Sequence, residues 1–194
     1  RCCCGLFCRA KNIESMNETR YIALLRGINV GGNNIIRMSD LKASFEELGF
    51  SDVATYIQSG NVLFNTLEKD KQLLIEKIEQ HLSERFAYQS KIVLLSQEQL
   101  QHVVDSAPMG FGDHPEEYRY NVLFLKEPLT ADEALQSIRT REGVDRAWAG
   151  DGVLYFSVLI SRATQSYLSK IVGQPIYQSL TIRNWNTSTK LLSK

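Results

Sequence analysis

The sequence predicts an α+β protein built from two ferredoxin-like β-α-β-β-α-β subdomains in tandem. Short apolar runs alternate with amphipathic segments, and that order runs through twice, on either side of a segment rich in proline and glycine. The two passes also align at their central turn, where Ser59-Gly-Asn-Val-Leu-Phe64 lies over Gly150-Asp-Gly-Val-Leu-Tyr155.

The elements follow in order. Residues 21–25 form a continuous apolar run, as a strand buried on both faces does. Over 40–48, Leu41, Phe45 and Leu48 share one helical stripe, and Gly49 stands where a helix ends. Residues 55–58 and 61–64 read as a hairpin about Ser59-Gly60. The segment 71–86 repeats Leu74, Ile78 and Leu82 every four residues, an amphipathic helix, and 92–95 is a buried strand. Ser96 with Gln99 forms a capping box that opens a further helix. The second pass has strands at 120–125, 145–149, 153–160 and 180–185. Its helices are predicted from the Thr130/Glu133 capping box to about 140, and over 165–172 before Gly173 and Pro175. In each half the first and third strands are apolar and the second is mixed, as expected where the second lies at a sheet edge.

The domain reading is an N-terminal extension over 1–15, one subdomain over 16–107, a linker over 108–117 and a second subdomain over 118–194. Cys2, Cys3, Cys4 and Cys8 all fall in the extension, a spacing that suits neither a disulfide framework nor a zinc site. Met16 reads as the natural start, and a reduced cytoplasm suits the cysteine-free remainder. Without those fifteen residues the 22 basic and 22 acidic residues become 19 and 21, because Arg1, Arg9, Lys11 and Glu14 are lost. A balanced chain has no global field to attract nucleic acid or an anionic membrane, so such binding needs a local patch. No apolar stretch reaches the roughly 18 residues of a membrane span, and no membrane partner is expected.

Three polar segments carry chemistry. Leu25-Arg-Gly-Ile-Asn-Val-Gly-Gly-Asn-Asn34 runs from a buried strand into Arg26, Asn29 and the Gly31-Gly32 pair. Such a loop can hold an anion on backbone N–H groups, or can simply be a glycine turn. It has neither the Walker A nor the dinucleotide spacing. Gln58-Ser-Gly-Asn61 sits at the hairpin, where Asn and Gly are also ordinary turn residues. Thr181-Ile-Arg-Asn-Trp-Asn-Thr187 puts Arg183 and Trp185 on one face of an extended chain; Asn186 or Thr187 can also cap a short closing helix.

Together, Arg26-Gly-Ile-Asn-Val-Gly-Gly32, Tyr56-Ile-Gln-Ser-Gly-Asn61 and Arg183-Asn-Trp-Asn-Thr187 resemble the bacterial domain-of-unknown-function family 1697. The resemblance runs from Thr19 to about Leu192. It implies a bacterial cytosolic α+β protein of two subdomains and assigns no reaction. Ser188 stands where the family motif usually continues with an apolar residue.

The leading functional expectation is binding of a phosphate-bearing ligand, a nucleotide or RNA. Arg26, Asn29, Gly31, Gly32, Asn61, Arg183 and Asn186 would hold it, with Trp185 as a stacking surface. The alternative is a structural or protein-interaction module whose motifs form a polar network between the halves. A second alternative is an enzyme on a phosphorylated substrate, with Asp40 or Asp151 beside the arginines. His81, His102 and His114 are scattered, and no nucleophile elbow or metal-ligand spacing occurs, so catalytic residues stay unassigned. No metal and no cofactor are expected, and the oligomeric state is open.

Overall fold

The computed structural model describes residues 18–29 and 34–194. The extension over 1–15, Met16 and the Gly31-Gly32 pair lie outside the described residues.

The first half runs β1 (Thr19–Leu25), α1 (Met38–Glu47), β2 (Ser51–Tyr56), β3 (Asn61–Thr66), α2 (Lys71–Phe86), β4 (Ile92–Ser96) and α3 (Gln97–Asp105). The second runs β5 (Tyr118–Leu125), α4 (Ala131–Ser137), β6 (Asp145–Ala149), β7 (Val153–Leu159), α5 (Leu168–Ile171), β8 (Leu180–Asn184) and α6 (Trp185–Leu191). Each half forms a four-stranded antiparallel sheet, ordered β2-β3-β1-β4 and β6-β7-β5-β8. The apolar first and third strands are central in both, and the mixed second strands are edges.

Side chains alternate across a strand, so each central strand serves two cores. Tyr21, Ala23 and Leu25 face α1 and α2, where Phe45, Leu74 and Ile78 close the outer core. Ile22 and Leu24 face the opposite way. They meet Leu100 and Val103 of α3 and, from the second sheet, Val122, Phe124 and Tyr155. The far face of that sheet, with Leu123, Leu154 and Phe156, is covered by α4 and α5. The two sheets therefore bury their inner faces in one shared core.

Local chemistry sets the helix ends. Asp70 accepts from the N–H groups of Gln72 and Leu73 at the start of α2, and both predicted capping boxes form, at Ser96/Gln99 and Thr130/Glu133. Three expectations need correction. Of the helix predicted over 165–172 only the four-residue α5 forms, between 3₁₀ turns at Ile160–Gln165 and Pro175–Ser179. The helix predicted to about 140 stops at Ser137, because Ile138 turns extended (ψ 128°) to bury its side chain. The closing helix is capped by Asn184, whose side chain accepts from the N–H of Asn186. Neither Asn186 nor Thr187 is its cap.

Candidate functional site

Arg183 is 7% exposed in β8, an edge strand that lies against the first subdomain. Every one of its five N–H groups has an acceptor. Nε donates to Asn61 Oδ1 at 2.6 Å, and Nη2 to the carbonyls of Leu25 at 2.7 Å and Ser59 at 2.9 Å. Nη1 donates to Thr181 Oγ1 and to the carbonyl of Ile182. Burial pushes the guanidinium down to about 10, still far above neutral pH, so it is a buried cation held by neutral oxygens. Asn61 opens β3 fully buried, and its amide donates to the Tyr56 carbonyl and to Ser59 Oγ. The hairpin can come this close because residue 60 is glycine: its φ is +73°, and a Cβ on it would lie 2.7 Å from Ile28 Cδ1.

The other predicted residues divide. Arg26, half-buried, reaches the second subdomain through Nη1, which donates to the Tyr177 carbonyl at 2.9 Å; its guanidinium lies 5.7 Å from the Tyr177 ring centroid. Asn29 closes its own loop: Oδ1 accepts from the Ile36 N–H, and Nδ2 donates to the carbonyls of Ile36 and Gln58. Trp185 packs edge-on against Phe111, with centroids 5.2 Å apart, and rests over Gly112. Asn186 is exposed in the first turn of α6. Thus Arg183, Asn61 and the hairpin converge, Arg26 joins the same boundary through Tyr177, and Trp185 and Asn186 belong to other surroundings. Asp40 lies in the exposed first turn of α1, and Asp151 faces His102 at 3.9 Å. Among the described residues neither forms an ion pair with Arg26 or Arg183.

Sequence reasoning missed several residues that join the subdomains. Phe111, from the segment read as a linker, sits among Tyr120, Trp148, Tyr155 and Trp185 at centroid distances of 4.9 to 5.9 Å. A lone aromatic between two glycines was its only signal. The Tyr155 hydroxyl donates to the Val103 carbonyl at 2.6 Å, satisfying an orphan carbonyl at the end of α3; burial raises this phenol to about 12. Glu79 of α2 is bridged by Lys91 at 3.2 Å and by Lys126 of the second subdomain, and it accepts from the Ile92 N–H. Beside it, a cleft of about 440 Å³ opens between α2, β4 and α3 on one side and the Leu125–Leu129 stretch with Asp151 on the other. Nothing in the sequence joins these segments.

Among the described residues no helix is long and apolar enough to cross a membrane, and no group of three His, Cys, Asp or Glu is placed to hold a metal ion. Among solved structures the chain is similar to the conserved bacterial protein SP0830 from Streptococcus pneumoniae. The identity is 27% and the TM-score 0.78, over 91% of this chain and 98% of that one. No curated protein matches it. A family model described as "Protein of unknown function (DUF1697)" matches residues 18–155, ending within β7 and short of the Arg183 motif. That match covers most of the chain, and the chain belongs to this family.

Proposed function

We propose that the protein is an interaction module in which the polar motifs lock two subdomains together so that the cleft between them has a fixed shape. The observation that carries this reading is Arg183: all five donors are engaged, three of them by first-subdomain oxygens, which leaves none for a ligand. Asn29 and Trp185 are engaged by loop and core in the same way. The test is thermal melting of Arg183→Met and Asn61→Ala without any ligand. Both variants are expected to melt well below the parent protein. An Arg183→Met protein that melts like the parent would overturn the reading.

A second reading, binding of a nucleotide or RNA phosphate, is favoured by one residue. Arg26 uses only Nη1 among its described bonds, and its planar fork suits phosphate. Phosphate, nucleotides and short RNAs are the probes. Saturation at about 100 times the dissociation constant stabilises by roughly 2.7 kcal/mol, a rise of about 5–11 °C in Tm for a chain of this size. A rise that vanishes in Arg26→Ala supports this reading, and no rise with any probe removes it. A cytosolic setting agrees with a body that holds no cysteine after Cys8.

A further inference from the structure

The two halves carry opposite charge. Residues 18–107 hold nine basic and twelve acidic residues, whereas residues 118–194 hold ten basic and six acidic, so the chain is balanced as a whole but not by halves. Three cations of the second half meet at Tyr167, on the side of its sheet that α4 and α5 cover. Arg141 Nη2 donates to the Tyr167 hydroxyl oxygen at 3.5 Å, and the Arg141 guanidinium and Lys170 Nζ lie 5.1 and 4.5 Å from the ring centroid. The Arg141 hydrogen bond, then the charges of Arg141, Lys170 and Arg139, hold the phenol below its ordinary value. Arg162 joins from the 3₁₀ turn before α5, its Nη1 3.6 Å from where a Cβ on Gly143 would stand. A buried carboxylate fixes this arrangement. Asp145, 5% exposed, accepts through Oδ2 from the Arg141 and Tyr167 N–H groups, both at 3.0 Å, and so ties the loop after α4 to the residue that precedes α5.

These charges face solvent: Arg139, Arg162 and Lys170 are exposed, and Arg141 and Tyr167 half-buried. Among the described residues none of the four cations forms an ion pair with a carboxylate. Glu142 is the one exposed acid in the same loop, and the charge of Asp145 is turned inward onto two backbone donors. Close cations without counter-charges make a local positive field, which the chain as a whole lacks. Three of the four are arginines, whose planar fork grips phosphate through two N–H groups. The Tyr167 O–H has no acceptor among the described residues and is a further donor to a phosphate oxygen. An acidic peptide suits the surface less well, because protein interfaces centre on an apolar or aromatic anchor, and the one ring here is already approached by two cations. The same cations leave the ring poorly placed to stack an unpaired base. We propose that this surface docks the phosphate backbone of a nucleic-acid duplex without reading its bases. Arg139, Arg162 and Lys170 each meet one phosphate, and Arg141 with the Tyr167 O–H holds another. The proposal goes beyond the interdomain lock and does not depend on it.

The test is fluorescence anisotropy of the full chain with labelled DNA duplexes of equal length and two unrelated sequences, which should bind alike. Each phosphate contact contributes about 0.9 to the fall of log affinity with log salt, so four contacts give a slope of about −3.6 and a fourfold rise in salt weakens binding about 150-fold. The variant Arg139→Gln/Arg162→Gln/Lys170→Gln changes exposed side chains only and should keep the parental Tm. It should bind at least tenfold more weakly at low salt, with a slope flatter by about 2.7. Lys42→Gln, which removes a cation of α1 paired with Glu46, should bind like the parent. The proposal is overturned if neither duplex binds at low salt, if the slope is near zero, if one sequence is strongly preferred, or if the triple variant binds like the parent. It is overturned equally if polyglutamate displaces the duplex as well as unlabelled duplex does, the outcome for an acidic protein partner. The same holds if Arg26→Ala removes binding and the triple variant does not. All of these leave the interdomain lock standing, because the lock fails only if Arg183→Met melts like the parent.

Discussion

Replacing Arg183 by methionine keeps an unbranched four-atom stem and removes the guanidinium with every donor, so it measures chiefly the bonds across the subdomain boundary. Two first-subdomain acceptors, Asn61 Oδ1 and the Leu25 carbonyl, are buried and would lose the guanidinium together. Each buried acceptor left unsatisfied costs about 1–3 kcal/mol. The Ser59 carbonyl is partly buried and counts for less, because water replaces some of the lost bond. Against this stands a gain: the guanidinium has no carboxylate partner, and burying an ion costs several kcal/mol before its hydrogen bonds are counted. The balance is a loss of about 3 kcal/mol, which lowers Tm by about 6–12 °C at 2–4 °C per kcal/mol for 150–250 residues. Calorimetry and urea unfolding of the parent, Arg183→Met, Asn61→Ala and the double variant give the numbers. The double-variant cycle should return a coupling of about 0.5–3 kcal/mol, because the two side chains touch. A Tm within error of the parent, or a coupling of zero, would refute the reasoning: the cost of burying the charge would then cancel the bonds, and the motif would contribute no lock.

Three further outcomes are expected. Phe111→Ala removes a ring buried among four aromatics and should cost about 3–5 kcal/mol. Because both tryptophans, Trp148 and Trp185, contact it, near-ultraviolet circular dichroism and tryptophan emission should change together. Tyr155→Phe deletes the bond to the Val103 carbonyl and should cost about 1–2 kcal/mol at neutral pH. With the folded phenol at about 12 and its ordinary value at 10.0, the stabilisation by Tyr155 is complete below pH 10 and declines from there towards 12. The difference in urea stability between parent and variant should therefore shrink across that window, and a difference that stays constant would contradict the assignment. Glu79→Gln keeps an acceptor for the Ile92 N–H but removes the charge that holds Lys91 and Lys126. A loss of about 1 kcal/mol is expected at low salt, slightly smaller at high salt because the pairs are only partly buried and salt still reaches the lysines.

What was legible in the sequence is what local chemistry determines. The central place of the first and third strands and the edge place of the second followed from which runs were apolar, and the caps of α3 and α4 from Ser96/Gln99 and Thr130/Glu133, because neighbours within four residues decide each of these. The three polar motifs could be picked out but not given roles. Arg183 and Asn61 are 122 residues apart, and no local rule tells a donor that will be buried against carbonyls from one left open to a ligand. Phe111 escaped for a related reason: proline and glycine around it signal a loop, while its burial depends on two sheets meeting above it. The cleft is less legible still, since its walls come from five separate segments.

The one clear failure of the repeat also bears on how the halves are joined. After its third strand the first half continues into the 16-residue α2, whose apolar stripe covers the sheet and whose Glu79 reaches Lys126. The matching stretch of the second half breaks into 3₁₀ turns around the four-residue α5. In an α-helix interior each carbonyl points along the axis to the N–H four residues further on, an orientation that suits a side chain of another element poorly. The second 3₁₀ turn ends at Ser179, which leaves the Tyr177 carbonyl for Arg26 and the Ser179 carbonyl for the Lys126 N–H. A regular helix there would turn the Tyr177 carbonyl, which ties Arg26 to the second subdomain, along its own axis. The broken helix and the Arg26 motif are thus two sides of one contact, and a repeat with two identical halves could not make it.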